Sequence, residues 1–307
     1  MRRLERHRLN KNIPNLLEER YNFASIEKIH NYFNNLFESK GDGFRWGNIS
    51  ERFHQKVNWG NEAGKSPEEI YRYLTYARDL GLYVFKQFTT PKGKPFQIPI
   101  AGKVAEGEGA QIRGEKIGEY DWIRYWEFCV ITRYSQGLDL LDTITEKTFK
   151  DRGLIGGTEL GFKMVDFFKS LFSKDVKKIE KAFREAYEYT DIDKYPSKFD
   201  AYNEYTLYHR APLLEVYLGI ITKDEAFYNE KLYEGLSLFR QFVEMPPEDG
   251  DPPRSISDEY FITWPYLAAV HMAKLNGLKT EVSSDYLPQW LVEGNFDQLP
   301  ITLPEKA

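Results

Sequence analysis

Ser66-Pro67-Glu68-Glu69-Ile70-Tyr71-Arg72-Tyr73-Leu74-Thr75-Tyr76-Ala77 opens the segment whose reading decides the fold. A capping Ser, a Pro in the first turn and a Glu three residues after the Ser form a helix start. Ile70, Leu74, Ala77, Leu80 and Val84 follow at three- and four-residue spacing, so the segment predicts a helix with one buried face. Toward the amino end, Ser25 is placed to cap a helix carrying Ile26, Ile29, Phe33 and Leu36, and Gly41-Asp42-Gly43 reads as the turn after it. Toward the carboxyl end, Tyr120 to Arg133 is too uniformly apolar and aromatic for a surface helix and predicts a central, buried one. Between them, Pro91 to Gly118 is rich in Gly and Pro. Its two alternating runs, Phe96-Gln97-Ile98-Pro99-Ile100 and Ala110-Gln111-Ile112-Arg113, predict a β-hairpin or extended insertion, either a plain surface connector or a partner-contacting arm.

The second half reads as paired helices. Thr158 to Leu171 carries Leu160, Met164, Phe167 and Phe168, and Ser173 is the expected cap of the next helix, with Val176, Ile179, Phe183 and Ala186. A further pair runs from about Asp200 to Gly219 and from Lys223 to Glu244, joined by a capping box at Thr222-Lys223-Asp224-Glu225. After the acidic, Pro-rich stretch Glu244 to Pro253, Ser257 opens another helical stretch, interrupted or restarted at Pro265 and stopped at Asn276-Gly277. A short helix near Gln289 to Glu293 ends the series. Helices joined by short loops pack as antiparallel hairpins. The expected fold class is therefore all-α: stacked antiparallel helical hairpins in a tetratricopeptide-like curved array, with a small β-hairpin insertion near residues 91–118. The hairpin starts, near residues 158, 200 and 257, are unevenly spaced, so no tandem repeat of about 34 residues is supported. The expected organisation is a single helical domain over residues 1–307, with amino-terminal helices at 1–90, the insertion at 91–118 and the hairpin array at 119–307.

Composition narrows the functional classes. The chain has 307 residues, 41% of them hydrophobic and 29% charged, which predicts a folded rather than a disordered chain. No run approaches the length of a membrane-spanning helix. The one cysteine, Cys129, excludes an intramolecular disulfide and reads as a core residue rather than a nucleophile. Met1-Arg2-Arg3-Leu4-Glu5-Arg6-His7-Arg8 leads into no apolar segment, so no secretory signal is read and a cytoplasmic location is expected. The net charge is −5, but residues 200–307 hold 18 acidic and 8 basic side chains while residues 1–199 hold 29 and 34. That acidic third disfavours nucleic acid and suits either a basic protein partner or a solvated, solubilising face.

Candidate chemistries are weak. Glu27-Lys28-Ile29-His30 and Glu51-Arg52-Phe53-His54 are both Glu-x-x-His, the pattern of di-iron bundles. His54 reads as lying in a short segment, both helices read as otherwise polar, and surface or capping histidines are the simpler reading. A glycosidase-like helical enzyme would need two carboxylates across a cleft, and among so many acids none is singled out. Gly-x-Ser-x-Gly, a P-loop and His-Glu-x-x-His are absent from the sequence. Gly153-Leu154-Ile155-Gly156-Gly157 follows no strand and reads as a helix–helix turn. No catalytic residue, metal ligand or cofactor is assigned. Glu248, Asp249, Asp251, Asp258 and Glu259 cluster around the Pro-rich stretch, and Tyr260, Phe261, Trp264 and Tyr266 follow them. These aromatics read equally as interface anchors or as core.

The carboxyl end is specific. Pro265-Tyr266-Leu267-Ala268-Ala269-Val270-His271-Met272-Ala273, then Asn276-Gly277, then Glu281-Val282-Ser283-Ser284-Asp285-Tyr286-Leu287-Pro288-Gln289-Trp290-Leu291 resembles the closing block of the Immunity protein 49 family. Leu4-Glu5-Arg6-His7 is similar to that family's amino end. The resemblance implies an all-helical member of a bacterial polymorphic toxin system, encoded beside a toxin and neutralising it by binding. It implies no catalytic residues and a toxin that is often a nuclease; the expected cytoplasmic location of this chain places that toxin's action in the cytosol. Tyr286 and Leu287 are expected to dock the tail, and Pro288 to start the last helix. The expected toxin contacts, read from charge and aromaticity, are Asp249, Asp251, Asp258, Glu259 and Tyr260. The alternative is a helical adaptor that scaffolds another partner.

Overall fold

The computed structural model describes residues 1–7, 25–38, 43–110, 117–151, 158–246, 252–296, 299, 302 and 303. The fold is all-α with two small two-stranded sheets. It divides into two compact units, one formed by Met1–Asn10 with Gly157–Gly294, the other by Lys11–Gly156 with Asn295–Ala307.

The second of these, the amino-side unit, holds α1 (Ile26–Glu38), α2 (Gly43–Glu62), α3 (Pro67–Thr89), a hairpin of β2 (Pro95–Ile100) and β3 (Lys103–Glu108), α4 (Glu119–Ile131), α5 (Ser135–Asp142) and α6 (Glu146–Asp151). Ser66 caps α3 as its sequence requires, its hydroxyl accepting from the Glu69 amide at 3.2 Å. Ser25 does the same for α1 through the Lys28 amide. The apolar face of α3 meets α1 and α2 in a ring cluster: Tyr76 lies edge-on to Phe33 at 4.9 Å and to Phe53 at 5.3 Å. Helix α4 is the buried one, with Trp122, Trp126, Phe128 and Cys129 all in the core, although Tyr120 at its start is exposed.

Three local expectations for this unit are corrected. The β-insertion is present, but its second strand is Lys103–Glu108 and not Ala110–Arg113, of which residues 111–113 lie outside the described residues. Ile100 pairs with Lys103, so the turn is the two residues Ala101 and Gly102, both at positive φ, 49° and 76°. That is the conformation that matches strand twist in a two-residue hairpin. A buried pair holds this turn: Arg78 Nε and Nη2 donate to Asp79 Oδ1 at 2.9 and 2.7 Å, while Asp79 Oδ2 accepts from the Ala101 amide at 3.1 Å. The second correction is His54, which lies in the 20-residue helix α2 rather than a short segment. The third is the character of that helix, whose Trp46, Ile49, Phe53 and Val57 are buried. Gly41-Asp42 lies outside the described residues, and Gly43 begins α2.

The carboxyl-side unit contains β1 (Arg2–Leu4), α7 (Glu159–Ser170), α8 (Val176–Glu188), α9 (Asp200–Tyr205), a π-turn at Thr206–Arg210, α10 (Ala211–Thr222), α11 (Glu225–Glu244), single 3-10 turns at Arg254–Ile256 and Asp258–Tyr260, α12 (Trp264–Leu275), β4 (Val282–Ser284) and α13 (Gln289–Glu293). Helices α7 with α8 and α10 with α11 are the expected consecutive pairs. At Gly219 a Cβ would stand 2.7 Å from the Cα of Tyr228, so α10 and α11 approach backbone to backbone there. Tyr217 fills the space between pairs, edge-on to Phe167 at 5.6 Å.

Helix ends differ from their expected caps by a residue or two. Asp175, not Ser173, caps α8, accepting from the Lys177 and Lys178 amides. Asp224 caps α11 through the Phe227 amide, and Lys223 is the left-handed residue that ends α10. The helix expected from Asp200 to Gly219 is broken by the π-turn. Pro212 has no amide to donate, and its ring clashes with the carbonyl four residues before it, which favours the looser i−5 bond from the Ala211 amide to the Thr206 carbonyl. Ser257 opens no regular helix: two 3-10 turns precede α12, which starts at Trp264 with Pro265 in its first turn. The stop at Asn276-Gly277 is as expected, with Gly277 at φ 81°.

The two ends of the sequence meet in this unit. Strand β1 pairs in parallel with β4, Arg2 opposite Val282 and Leu4 opposite Ser284. His7 follows directly. Its amide and its Nδ1 both lie on the Tyr286 hydroxyl, at 3.2 and 2.8 Å, and its Nε2 is 3.3 Å from the Ser255 carbonyl. Tyr286 and Leu287 are buried as expected, and Pro288 precedes α13. His271 Nε2 reaches the Leu291 carbonyl at 2.8 Å, tying α12 to α13.

Candidate partner interface

The turns at Arg254–Ile256 and Asp258–Tyr260, which follow the acidic stretch, are anchored from beneath. Arg254 Nη2 donates to Glu204 Oε2 at 2.7 Å, its Nη1 donates to the Phe242 carbonyl at 3.2 Å, and its guanidinium carbon sits 4.1 Å over the Phe242 ring. A guanidinium satisfied by a carboxylate, a carbonyl and a ring face is held in one place. Tyr260 leans on the same base, its ring 5.9 Å from Phe242 and 6.0 Å from Phe239. Tyr205 completes the set, edge-on to Phe242 at 5.7 Å. The 3-10 turns at 254–260 and helix α9 therefore share one aromatic floor.

On that floor Asp258 and Tyr260 are half-buried and Glu259 is exposed. Asp249 and Asp251, with Glu248, lie outside the described residues. Phe261, Trp264 and Tyr266 resolve the double reading of the aromatics in favour of the core, because all three are buried. The large apolar side chains that face outward in this unit, among the described residues, lie elsewhere: Met1, Phe172, Val176, Tyr187, Phe199, Tyr202, Leu207 and Leu275. Phe199 is 66% exposed and its ring stands 6.0 Å from that of Tyr202, which is 47% exposed. Both lie at the start of α9, the helix whose Glu204 holds Arg254. The sequence reading singled out neither residue: Phe199 precedes the helix read from about Asp200 to Gly219, and exposure of an aromatic is set by packing, not by local spacing.

His54 is buried against the Phe128 ring at 5.1 Å, and burial holds its imidazole well below the usual histidine range. His30 is half-buried on α1. Among the described residues no group of three or more His, Cys, Asp or Glu side chains is gathered as a metal site would require. Burial pushes the Cys129 thiol up to about 12, which leaves it un-ionised. Glu127 of α4 is also buried, and desolvation raises its carboxyl to about 8. Gly153 to Gly157 lies outside the described residues. No helix among the described residues is long and apolar enough to cross a membrane.

What the fold and its surface define is a helical protein with an anchored acidic turn and, in the same unit, outward-facing aromatics. The family model described as Immunity protein 49 matches residues 61–291, and the chain belongs to that family. No curated protein and no solved structure matches it.

Proposed function

We propose that this protein binds a bacterial toxin that acts in the cytosol and neutralises it by stoichiometric contact, without chemistry of its own. The observation that carries this reading is membership of the Immunity protein 49 family over three quarters of the chain, from residue 61 to 291. The contact surface is the acidic, Pro-rich segment with its anchored turn, through Asp249, Asp251, Asp258, Glu259 and Tyr260, extended by Phe199 and Tyr202 at the start of α9. Two features support that choice. Exposed aromatics beside a rim of charge are the composition of binding hot spots. The excess of acidic over basic side chains after residue 200 suits a basic toxin, such as a nuclease with a phosphate-binding active site. The Arg254–Glu204–Phe242 anchor lowers the ordering cost of binding by holding the turn in place beforehand.

The test is a pull-down of this chain with the product of the toxin-like gene beside its own, followed by light scattering of the eluted species. A complex with one copy of each chain supports the proposal. Absence of a complex with that neighbour, alongside capture of an unrelated cellular protein, favours the adaptor reading instead.

A further inference from the structure

A second site lies in the same unit and shares Tyr202 with the edge of the proposed toxin contact. A cleft of about 290 Å³ opens between the start of α7, the Tyr189 and Tyr195 rings, and the π-turn region that carries Tyr202 and Arg210. Arg210 is only 6% exposed. Among the described residues its guanidinium has one ring contact, with Tyr205, 5.4 Å from the guanidinium carbon, and its charge adds to burial in lowering the neighbouring His209 imidazole. No carboxylate, carbonyl or hydroxyl among the described residues accepts from it. An arginine cannot shed its charge, and a buried guanidinium ordinarily has an anion or several acceptors around it. The π-turn is what puts it there: the extra residue in that turn rotates Arg210 off the regular helical register, and such bulges recur at binding sites.

The rest of the lining fits an anionic guest. Tyr189 and Tyr195 stack at 4.3 Å and present a flat aromatic wall. Tyr189 and Tyr202 have hydroxyls that donate to nothing among the described residues. The first turn of α7 adds the positive end of its dipole, its Gly161 amide already capped by the Thr158 hydroxyl at 3.0 Å. Thr206 and Asn203 are already engaged, with the Tyr202 carbonyl and with Ser197, so they shape the wall rather than bind. Glu159 is the one carboxylate in the lining, and it is exposed at the rim.

We propose that this cleft binds an oxyanion, a carboxylate or phosphate group forked onto the Arg210 guanidinium and flanked by the Tyr189 and Tyr202 hydroxyls. The group could come from a free small molecule or from an acidic side chain of a protein partner, and the probes separate these. Full-length protein is titrated calorimetrically with inorganic phosphate and, separately, with N-acetyl-glutamate amide, at constant ionic strength in chloride. Saturable binding is expected, weakened about tenfold or more in Arg210→Gln and to a lesser degree in Arg210→Lys, which keeps the charge but loses the fork. Arg184→Gln, on the exposed face of α8, leaves it unchanged. Tighter phosphate binding assigns the site to a phosphoryl ligand, and tighter binding of the glutamate derivative assigns it to a partner's side chain. Arginine modification of the unaltered protein by phenylglyoxal, mapped by mass spectrometry, gives a measure that needs no variant: phosphate is expected to protect Arg210 selectively. Non-saturating heats equal in wild type and Arg210→Gln, or no protection of Arg210, overturn the proposal.

Discussion

Nδ1 of His7 lies 2.8 Å from the hydroxyl of Tyr286, joining two residues 279 positions apart. The partners fix every proton in this contact. The Ser255 carbonyl can only accept, so Nε2 carries the imidazole hydrogen and Nδ1 accepts from the Tyr286 O–H. The same hydroxyl accepts from the His7 amide. Together with the β1–β4 pair, this contact closes the carboxyl-side unit with the first residues of the chain, and it involves the two segments that resemble the family's ends.

Removing that hydroxyl should therefore cost more than an ordinary surface hydrogen bond. Tyr286→Phe keeps the ring against Phe239 at 5.1 Å but strands a buried amide and a buried ring nitrogen. A loss of about 1–3 kcal/mol is expected in urea unfolding. A change within experimental error would show that water replaces the hydroxyl freely.

Acid should loosen the same contact. Burial, helped by neighbouring Arg6, lowers the His7 imidazole from 6.5 to about 4. The unfolded chain binds its proton first as pH falls, so the His7 contribution is complete above pH 6.5 and is lost between 6.5 and about 4. Glu127, raised to about 8, works in the opposite sense over part of that range, favouring the folded chain as pH falls. The stability difference between wild type and His7→Gln isolates the histidine and should shrink as the pH is lowered. An NMR titration of the His7 ring should find its midpoint near 4; a midpoint near 6.5 would mean the ring is solvated.

Gly219 tests the packing of the array itself. Its absent Cβ would stand 2.7 and 2.8 Å from the Cα and amide nitrogen of Tyr228, atoms that cannot rotate away. Gly219→Ala should force α10 from α11 and cost about 1–3 kcal/mol despite the higher helix propensity of alanine. Equal or greater stability in that variant would mean the two helices slide apart easily.

Charge reversal tests the proposed toxin surface. Asp258→Lys with Glu259→Lys should slow association with the toxin at low ionic strength, flatten its salt dependence and change dissociation little. An association rate identical to wild type at low salt would move the contact away from this turn.

The parts of this fold that a linear reading reaches are those written in neighbouring residues. Ser66-Pro67 and its apolar stripe place α3, and Pro265 with Gly277 brackets α12. The parts that escape are set by distant partners. Nothing near Arg2–Leu4 announces a three-residue parallel pairing with Val282–Ser284. The hairpin register escapes for a different reason: its turn places Ala101 at positive φ, where Gly or Asn would have signalled it, and the buried Arg78–Asp79 pair supplies the compensation. The candidate surface divides in the same way. Acid and aromatic composition pick out Asp258, Glu259 and Tyr260, but which aromatics face inward depends on packing, and Phe261, Trp264 and Tyr266 went to the core. Arg210 is illegible in sequence altogether, since what distinguishes it is the partner it lacks among the described residues.

The most direct measurement is growth rescue. The toxin-like gene adjoining this one is expressed from a tight promoter in a sensitive host, alone and together with this chain. Neutralisation by binding predicts arrest with the toxin alone and full growth with both, in proportion to the amount of this protein. Arrest that persists when this chain is present in excess and folded would contradict the account.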